Sequence, residues 1–206
     1  MRPVDELVYR PFEEEDLNQV AELFREQWCS ELDQRLGQAA ARATVCNYLV
    51  DANWGCVAVL RGTVLGVALM ASGGRDAMSR TYWRGLRDET LAQVGPRARF
   101  GVEVGAVEYE ESQLAHAYAQ QGGACSDTEV KLLIVSPRSQ GLGLGRALIE
   151  KCGQRTQDLG RKGFFLITDD TCDVGFYDHM GLTRQMEAPS EAEPQINLYV
   201  YAKELG

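Results

Sequence analysis

The sequence predicts a single α/β domain, and three features of the 206-residue chain support this prediction. Segments of strand and helix character alternate from residue 128 onward, an apolar hairpin precedes them, and one strand leads directly into a glycine-rich loop and a helix. The length and the 45% hydrophobic composition suit one substantial core. We therefore predict one domain over residues 1–206.

The amino-terminal part predicts a strand, two helices and a hairpin. The acidic run over 13–16 places negative charge at the positive end of a helix dipole, and apolar residues then recur at helical spacing. The predicted elements are a strand over 7–12, helices over 17–28 and about 39–50, and hairpin strands over 56–60 and 64–70.

After the hairpin, the sequence no longer shows strand patterns over about residues 74–124. A pair of glycines lies at each end of this stretch. It is compatible with helix over 78–94 and 107–120. We interpret it as a helical insertion before the central strand. Its aromatic residues and His116 are expected to be structural, because aromatics at helical spacing usually belong to a core.

The carboxy-terminal part alternates strand and helix. The predicted elements are a strand over 128–135, a glycine-rich loop, a helix over 142–159, a strand over 164–168, a short helix over 173–180, and two strands around Thr183 and over 197–202. This order predicts a sheet with helices on its faces.

Composition argues against several classes of protein. The net charge of −9 and a pI near 4.8 would repel a phosphate backbone, so we expect no nucleic-acid partner and consider a cationic substrate more compatible. No apolar run reaches the ~20 residues of a membrane helix, and the first residues lack the order of a secretory signal. We therefore expect a cytoplasmic protein without membrane association.

Cysteine and histidine usage gives no support for a metal site. The six cysteines form no CxxC pair, and only His116 and His179 could supply imidazole. Free thiols are the expectation, and no metal cofactor is predicted.

The most informative segment is a strand that leads into three alternating glycines, Gly141, Gly143 and Gly145, and then a helix. Without side chains, the backbone N–H groups can approach an anion at the helix start, for which a pyrophosphate is the natural occupant. Close packing of helix on strand is an equally valid reason for such glycines. A P-loop is disfavoured because Arg146-Ala147 follows the last glycine, and a dinucleotide fold would place its loop after the first strand.

These residues resemble the GNAT acetyltransferase superfamily. Its signature, Gln/Arg-x-x-Gly-x-Gly/Ala, is met by Gln140, Gly143 and Gly145, and its later aromatic-Tyr segment by Phe176-Tyr177, with Gly181-Leu182 shortly after. The resemblance spans about 128–182. It implies a mixed, mostly antiparallel sheet of about seven strands flanked by helices, in which the inserted segment replaces a short turn.

The resemblance also implies acetyl-CoA as cosubstrate. The pantetheine arm would pair with the exposed backbone of Leu133, Ile134 and Val135, as in strand addition. Backbone amides of the loop and helix start would hold the pyrophosphate, and they belong to Gln140, Gly141, Leu142, Gly143, Leu144, Gly145 and Arg146.

Acetyl transfer to an amine requires a base and an acid, because a free alkyl ammonium is protonated and the coenzyme leaves as a thiolate. Tyr177 matches the family position of the acid. Glu129 matches a position where family members carry a catalytic glutamate, although pairing with Lys131 is an alternative role; in a regular strand the two would share a face with Leu133. Asp169 and Asp170 are hypothesised to bind the amine, and Asp173 stands where relatives often have asparagine.

The function predicted is direct acetyl transfer from acetyl-CoA to a primary amine of a small molecule or peptide. The alternative is a non-catalytic acyl-CoA-binding regulatory module. We expect the insertion to cover the acceptor side. We expect a homodimer, because two-fold symmetric dimers are the commonest soluble assemblies.

Overall fold

The computed structural model describes residues 7–73, 77–93 and 99–206. Within them, seven strands form one sheet in the order β1-β2-β3-β4-β5-β7-β6, and every neighbouring pair is antiparallel except β4 with β5. The strands are β1 (Val8–Pro11), β2 (Trp54–Leu60), β3 (Thr63–Ala71), β4 (Glu129–Val135), β5 (Gly163–Asp169), β6 (Thr183–Pro189) and β7 (Asn197–Glu204). The helices are α1 (Leu17–Trp28), α2 (Gln34–Asp51), α3 (Ala77–Ala92), α4 (Arg99–Gln120), α5 (Leu144–Asp158) and α6 (Val174–His179).

The predicted fold class is confirmed, and the differences concern where helices begin. Helix α2 starts five residues before the predicted 39, because the Asp33 side chain accepts a hydrogen bond from the Leu36 amide at 3.0 Å and caps the helix. Helix α4 starts at Arg99 rather than 107. Residue 94, the predicted end of the first inserted helix, and residues 1–6 lie outside the described parts of the chain.

Both faces of the sheet are covered. The adjacent residues Phe164 and Phe165 of β5 are both buried, but Phe164 packs against α5 whereas Phe165 packs against α4. On the α4 side of the sheet, α1 and α2 cover the half that contains β2 to β4. Within the described parts, no helix has the length and apolar character needed to cross a bilayer.

The inserted segment is part of the core. Leu114, Ala115 and Tyr118 of α4 are buried, and the Tyr118 ring lies 4.9 Å from that of Phe165, centroid to centroid. Trp83 of α3 is buried with the residues of α1 and α2, as the sequence predicted. His116 is exposed and contacts Gln120. Deleting the segment would therefore remove core contacts as well as any cover over a site.

A bulge interrupts β4 at Lys131. Leu132 pairs with Leu69 of β3, and Val130 pairs with Met70, the next residue of β3. Lys131 therefore has no partner in β3. Val130 and Leu133 consequently pack into the same core cluster, although their spacing in a regular strand would place them on opposite faces. The expectation that Glu129 shares a face with Leu133 is therefore wrong, because the bulge reverses the alternation between them.

Candidate active site

The strands β4 and β5 separate soon after they meet. They pair only at Glu129 with Phe165 and at Val130 with Leu166, although each strand has seven residues. From Leu132 to Val135, β4 pairs with β3 on one side alone. The predicted pantetheine-binding residues Leu133, Ile134 and Val135 thus lie on a strand edge with free backbone positions, which is the arrangement that strand addition uses.

The glycine-rich loop leaves this edge and leads into α5. Gln140, Gly141, Leu142 and Gly143 are exposed, and Leu144 is buried as α5 begins. Gly143 adopts a φ of 76°, in the left-handed region that favours glycine, and forms the cap of α5. No described group accepts a hydrogen bond from the backbone N–H of Gly143, Leu144, Gly145 or Arg146. These amides form a concentrated set of donors at a helix start, open to an anion.

Close packing, rather than backbone conformation, favours glycine at position 145. A Cβ at this position would lie 3.2 Å from Cζ of Phe176 in α6. The close contact brings α6, and with it Tyr177, against the start of α5. The packing explanation therefore applies to Gly145, whereas Gly143 is favoured by its backbone conformation, a reason that the sequence analysis did not consider.

A cavity of about 350 Å³ occupies the gap between β4 and β5. Leu133 and Leu166 line it from the two strands, Tyr177 from α6, and Glu108 and Glu111 from α4. Because α4 and α6 cover opposite faces of the sheet, the cavity connects the two faces. Six carboxylate residues line it, against one lysine: Asp51, Glu108, Glu111, Glu129, Asp169 and Glu193, with Lys131.

Tyr177 lies at the end of the cavity formed by α6 and is 9% exposed. Burial, and to a smaller degree the nearby Cys172 and Asp169, raise the pKa of its phenol above the ordinary value. The phenol therefore holds its proton throughout the neutral pH range and is available as a proton donor. Beside it, the Oγ1 of Thr168 is buried without a hydrogen-bond partner among the described residues.

Glu129 forms an ion pair with Lys131, whose Nζ lies 2.8 Å from its Oε1. The two side chains are only 17% and 15% exposed, so the pair is largely buried rather than superficial. Both line the cavity.

Two carboxylates of the inserted helix were missed by the sequence analysis. Burial raises the pKa of Glu111 to about 8, with smaller contributions from the charges of Glu108 and Asp169, while Lys131 opposes the shift. Burial also raises the pKa of Glu108. The sequence did contain a signal, because Glu111 occupies a position in the apolar stripe of α4.

The aspartates after β5 have separate roles. Asp169 lines the cavity and accepts hydrogen bonds from the amide and hydroxyl of Thr171, at 2.6 and 2.5 Å. Asp170 instead accepts from Asn197 and from the Tyr199 hydroxyl, and so ties the loop to β7. Asp173 caps α6 through the Phe176 amide, a role that the sequence analysis had not assigned to it.

The remaining charged and thiol groups near the site are accounted for by the fold. Arg138 is 85% exposed and pairs with Glu26, and Arg146 pairs with Glu150. The six cysteines are free thiols, as predicted, and all except Cys172 are buried. Among the described residues, no group of three or more histidine, cysteine, aspartate or glutamate side chains is arranged to hold a metal ion.

Comparison with known proteins places this geometry in a family. The family model for the acetyltransferase (GNAT) domain matches residues 103–204. No curated protein sequence matches the chain.

Solved structures similar to the chain include three acetyltransferase-fold proteins. Ard1 from Thermoplasma volcanium is 12% identical, with 97% of this chain and 98% of that chain covered and a TM-score of 0.60. An aminoglycoside 6'-N-acetyltransferase complexed with coenzyme A is 12% identical, with 96% of each chain covered and a TM-score of 0.59. The PaiA N-acetyltransferase from Thermoplasma acidophilum, in complex with coenzyme A, is 12% identical, with coverage of 97% and 99% and a TM-score of 0.57.

At these identities the structural similarity shows a shared fold. The family model identifies residues 103–204, just under half of the chain, as a GNAT acetyltransferase domain.

Proposed function

We propose that this protein transfers an acetyl group from acetyl-CoA directly to a primary amine. The observation that carries the proposal is the early separation of β4 and β5, which leaves a strand edge beside a cavity that contains Tyr177. The edge and the free amides of 143–146 are complementary to a pantetheine arm and a pyrophosphate. The acceptor belongs on the α4 side, where the carboxylates favour a cationic small molecule or peptide amine.

The acid step is assigned to Tyr177. When the tetrahedral intermediate collapses and the C–S bond breaks, the coenzyme leaves as a thiolate with an ordinary pKa of about 8.5. A buried phenol at the cavity wall can protonate it, and the amine nitrogen loses its remaining excess proton to the phenolate. Transfer then needs no covalent intermediate on the protein.

The test combines binding with turnover. Calorimetry measures the affinity for coenzyme A, and thiol release is followed with acetyl-CoA and a panel of polyamines, aminoglycosides, amino acids and peptides. Coenzyme binding together with amine-dependent thiol release, and an acetylated amine identified by mass spectrometry, is the expected result. Absence of coenzyme binding would refute the proposal.

One observation favours a second candidate. Glu129, the base expected from the family resemblance, is already engaged by Lys131 at 2.8 Å. The second candidate is therefore an acyl-CoA-binding regulatory module. Tight coenzyme binding without thiol release for any amine in the panel would support this candidate and count against the enzyme.

A further inference from the structure

The buried face of α4 carries a carboxylate at a position that a helix normally fills with an apolar residue. Val107, Leu114 and Tyr118 follow one side of the helix, and Glu111 lies between them at spacings of four, three and four residues. A charge on an apolar stripe is costly unless it is paired or has a function. Glu111 instead faces the cavity between β4 and β5.

Glu111 forms no hydrogen bond or ion pair with any residue that the structure describes. The lysine of the cavity is already bound by Glu129 at 2.8 Å. The groups that face Glu111 are Glu108 on its own helix, Asp169 at the end of β5, Glu129 and Lys131 on β4, Tyr48 on α2, and Cys172. Lys131 is the one cation of this set, and Glu129 already engages it, whereas the other charged groups of the set are carboxylates.

Two further polar atoms in the cavity also lack partners. The Oγ1 of Thr168 is buried in a residue that is 3% exposed, and it lies near the Tyr177 phenol and the Cys172 thiol without a hydrogen bond of ordinary geometry to any described group. The Oε1 of Glu108 is likewise buried and unpartnered, whereas its Oε2 accepts a hydrogen bond from Asn47 at 3.2 Å. Buried polar atoms without partners are rare in folded proteins and indicate a ligand or an ordered water.

We propose that Glu108 and Glu111 of α4 bind the acceptor amine as its ammonium ion, and that Glu111 accepts the proton which the ammonium must lose before attack. This inference rests on the function proposed above. It assigns the base role to Glu111 of the inserted helix rather than to Glu129, which forms an ion pair with Lys131.

The proposed reaction conserves atoms and charge. The ammonium gives one proton to the Glu111 carboxylate, and the neutral amine nitrogen forms a bond to the thioester carbon. The C–S bond breaks as the intermediate collapses, the thiolate takes a proton from Tyr177, and the nitrogen gives its second proton to the phenolate. The Glu111 carboxyl releases its proton to water when the product leaves, so that one ammonium and one thioester yield one amide, one thiol and one proton.

The experiment compares four proteins with the best acceptor from the amine panel: wild type, Glu111→Gln, Glu129→Gln and Glu89→Gln. Glu89 lies exposed on α3 outside the cavity and is the matched control. For each protein, kcat/KM is measured from pH 6 to 10 and the coenzyme A affinity by calorimetry. Glu108→Gln is added to separate binding from proton transfer, and its main effect is expected on the KM for the amine.

We expect Glu111→Gln to lower kcat/KM by about 100-fold or more, the range for loss of a general base, at a pH just above the Glu111 pKa of about 8, where this carboxyl is mostly ionised. The coenzyme affinity should be unchanged. The deficit should shrink toward pH 10, because the amine then deprotonates without help. The Glu89→Gln control should match wild type, and Glu129→Gln should retain more activity than Glu111→Gln.

Two results would overturn the inference. One is a Glu111→Gln protein within about threefold of wild type at a pH just above the Glu111 pKa of about 8, and the other is a deficit that is equal at every pH, as a purely structural role would give. A wild type that releases no thiol with any amine would instead remove the proposed function itself, so the two failures are distinguishable.

Discussion

Val130 pairs with Leu166 in the last position that joins β4 to β5, and beyond it these two fully described strands separate. The bulge at Lys131 lies immediately after this pair. Since a bulge increases local twist and bends its strand, it accounts for the divergence. One extra residue therefore opens the edge of β4, creates the cavity, and places Glu129 and Lys131 where they form an ion pair.

The first prediction concerns the proposed acid. Tyr177→Phe should lower kcat by about 10- to 100-fold, because the thiolate must then take its proton from water, while coenzyme A affinity changes little. The measurement is thiol release at saturating substrate together with calorimetry. Tyr118→Phe, a buried tyrosine of α4 outside the cavity, is the control and should keep full activity. Equal rates for both variants would exclude Tyr177 as the acid.

The second prediction concerns the start of α5. Gly143 has a φ of 76°, so Gly143→Ala should cost about 1–2 kcal/mol of unfolding free energy and weaken coenzyme A binding by shifting the free amides. Gly85→Ala is the control, since Gly85 lies within α3 and a Cβ there would meet no atom within 4 Å. It should stabilise the protein by about 0.5–1 kcal/mol without changing the affinity. Chemical denaturation and calorimetry measure both quantities.

A third prediction uses the unpartnered hydroxyl of Thr168. Thr168→Val keeps the shape of the side chain and removes a buried hydroxyl that forms no hydrogen bond of ordinary geometry with a described residue, so stability should be unchanged or higher. If a ligand satisfies this hydroxyl, the same variant should lose about 10-fold in kcat/KM, equivalent to one hydrogen bond. Thermal unfolding and steady-state kinetics give the two values. A loss of stability with normal kinetics would mean that the hydroxyl serves the fold.

The fourth prediction is a pH dependence of stability. The folded-state pKa of Glu111 is raised to about 8, above its unfolded value of about 4.3. Its contribution to stability is therefore fully present below about pH 4 and is lost as the pH rises toward 8. Glu111→Gln should consequently be more stable than wild type at pH 8, on the order of 1 kcal/mol or 2–4 °C in Tm, and the difference should vanish near pH 4.

Thermal unfolding at pH 4, 6 and 8 checks this prediction, with Glu89→Gln as the control. A gain in stability together with a loss of activity would be the expected trade-off at a functional site. A Glu111→Gln protein that is less stable than wild type at pH 8 would contradict the raised pKa of this carboxyl.

Much of the fold was predictable because local patterns govern it. The glycines at 141, 143 and 145 indicated a loop that leads into a helix, and the alternation of elements after residue 128 predicted the sheet. The order Gln140, Gly143, Gly145 and then Phe176-Tyr177 was sufficient to identify the family. The start of α2 was missed because Gly37 in its first turn resembles a helix breaker, while the capping Asp33 lies ahead of the apolar pattern.

The sequence by itself determined the family, the sheet with its helices, and the loop whose amides are free, because each depends on backbone preferences of adjacent residues. Only the tertiary structure decided that Lys131 forms a bulge and that Glu129 is paired. It also decided that Glu111, partly buried and without a partner among the described residues, lines the same cavity as Tyr177. The physical reason is that desolvation and pairing of a charge are set by contacts between α4, β4, β5 and α6, which lie far apart along the chain.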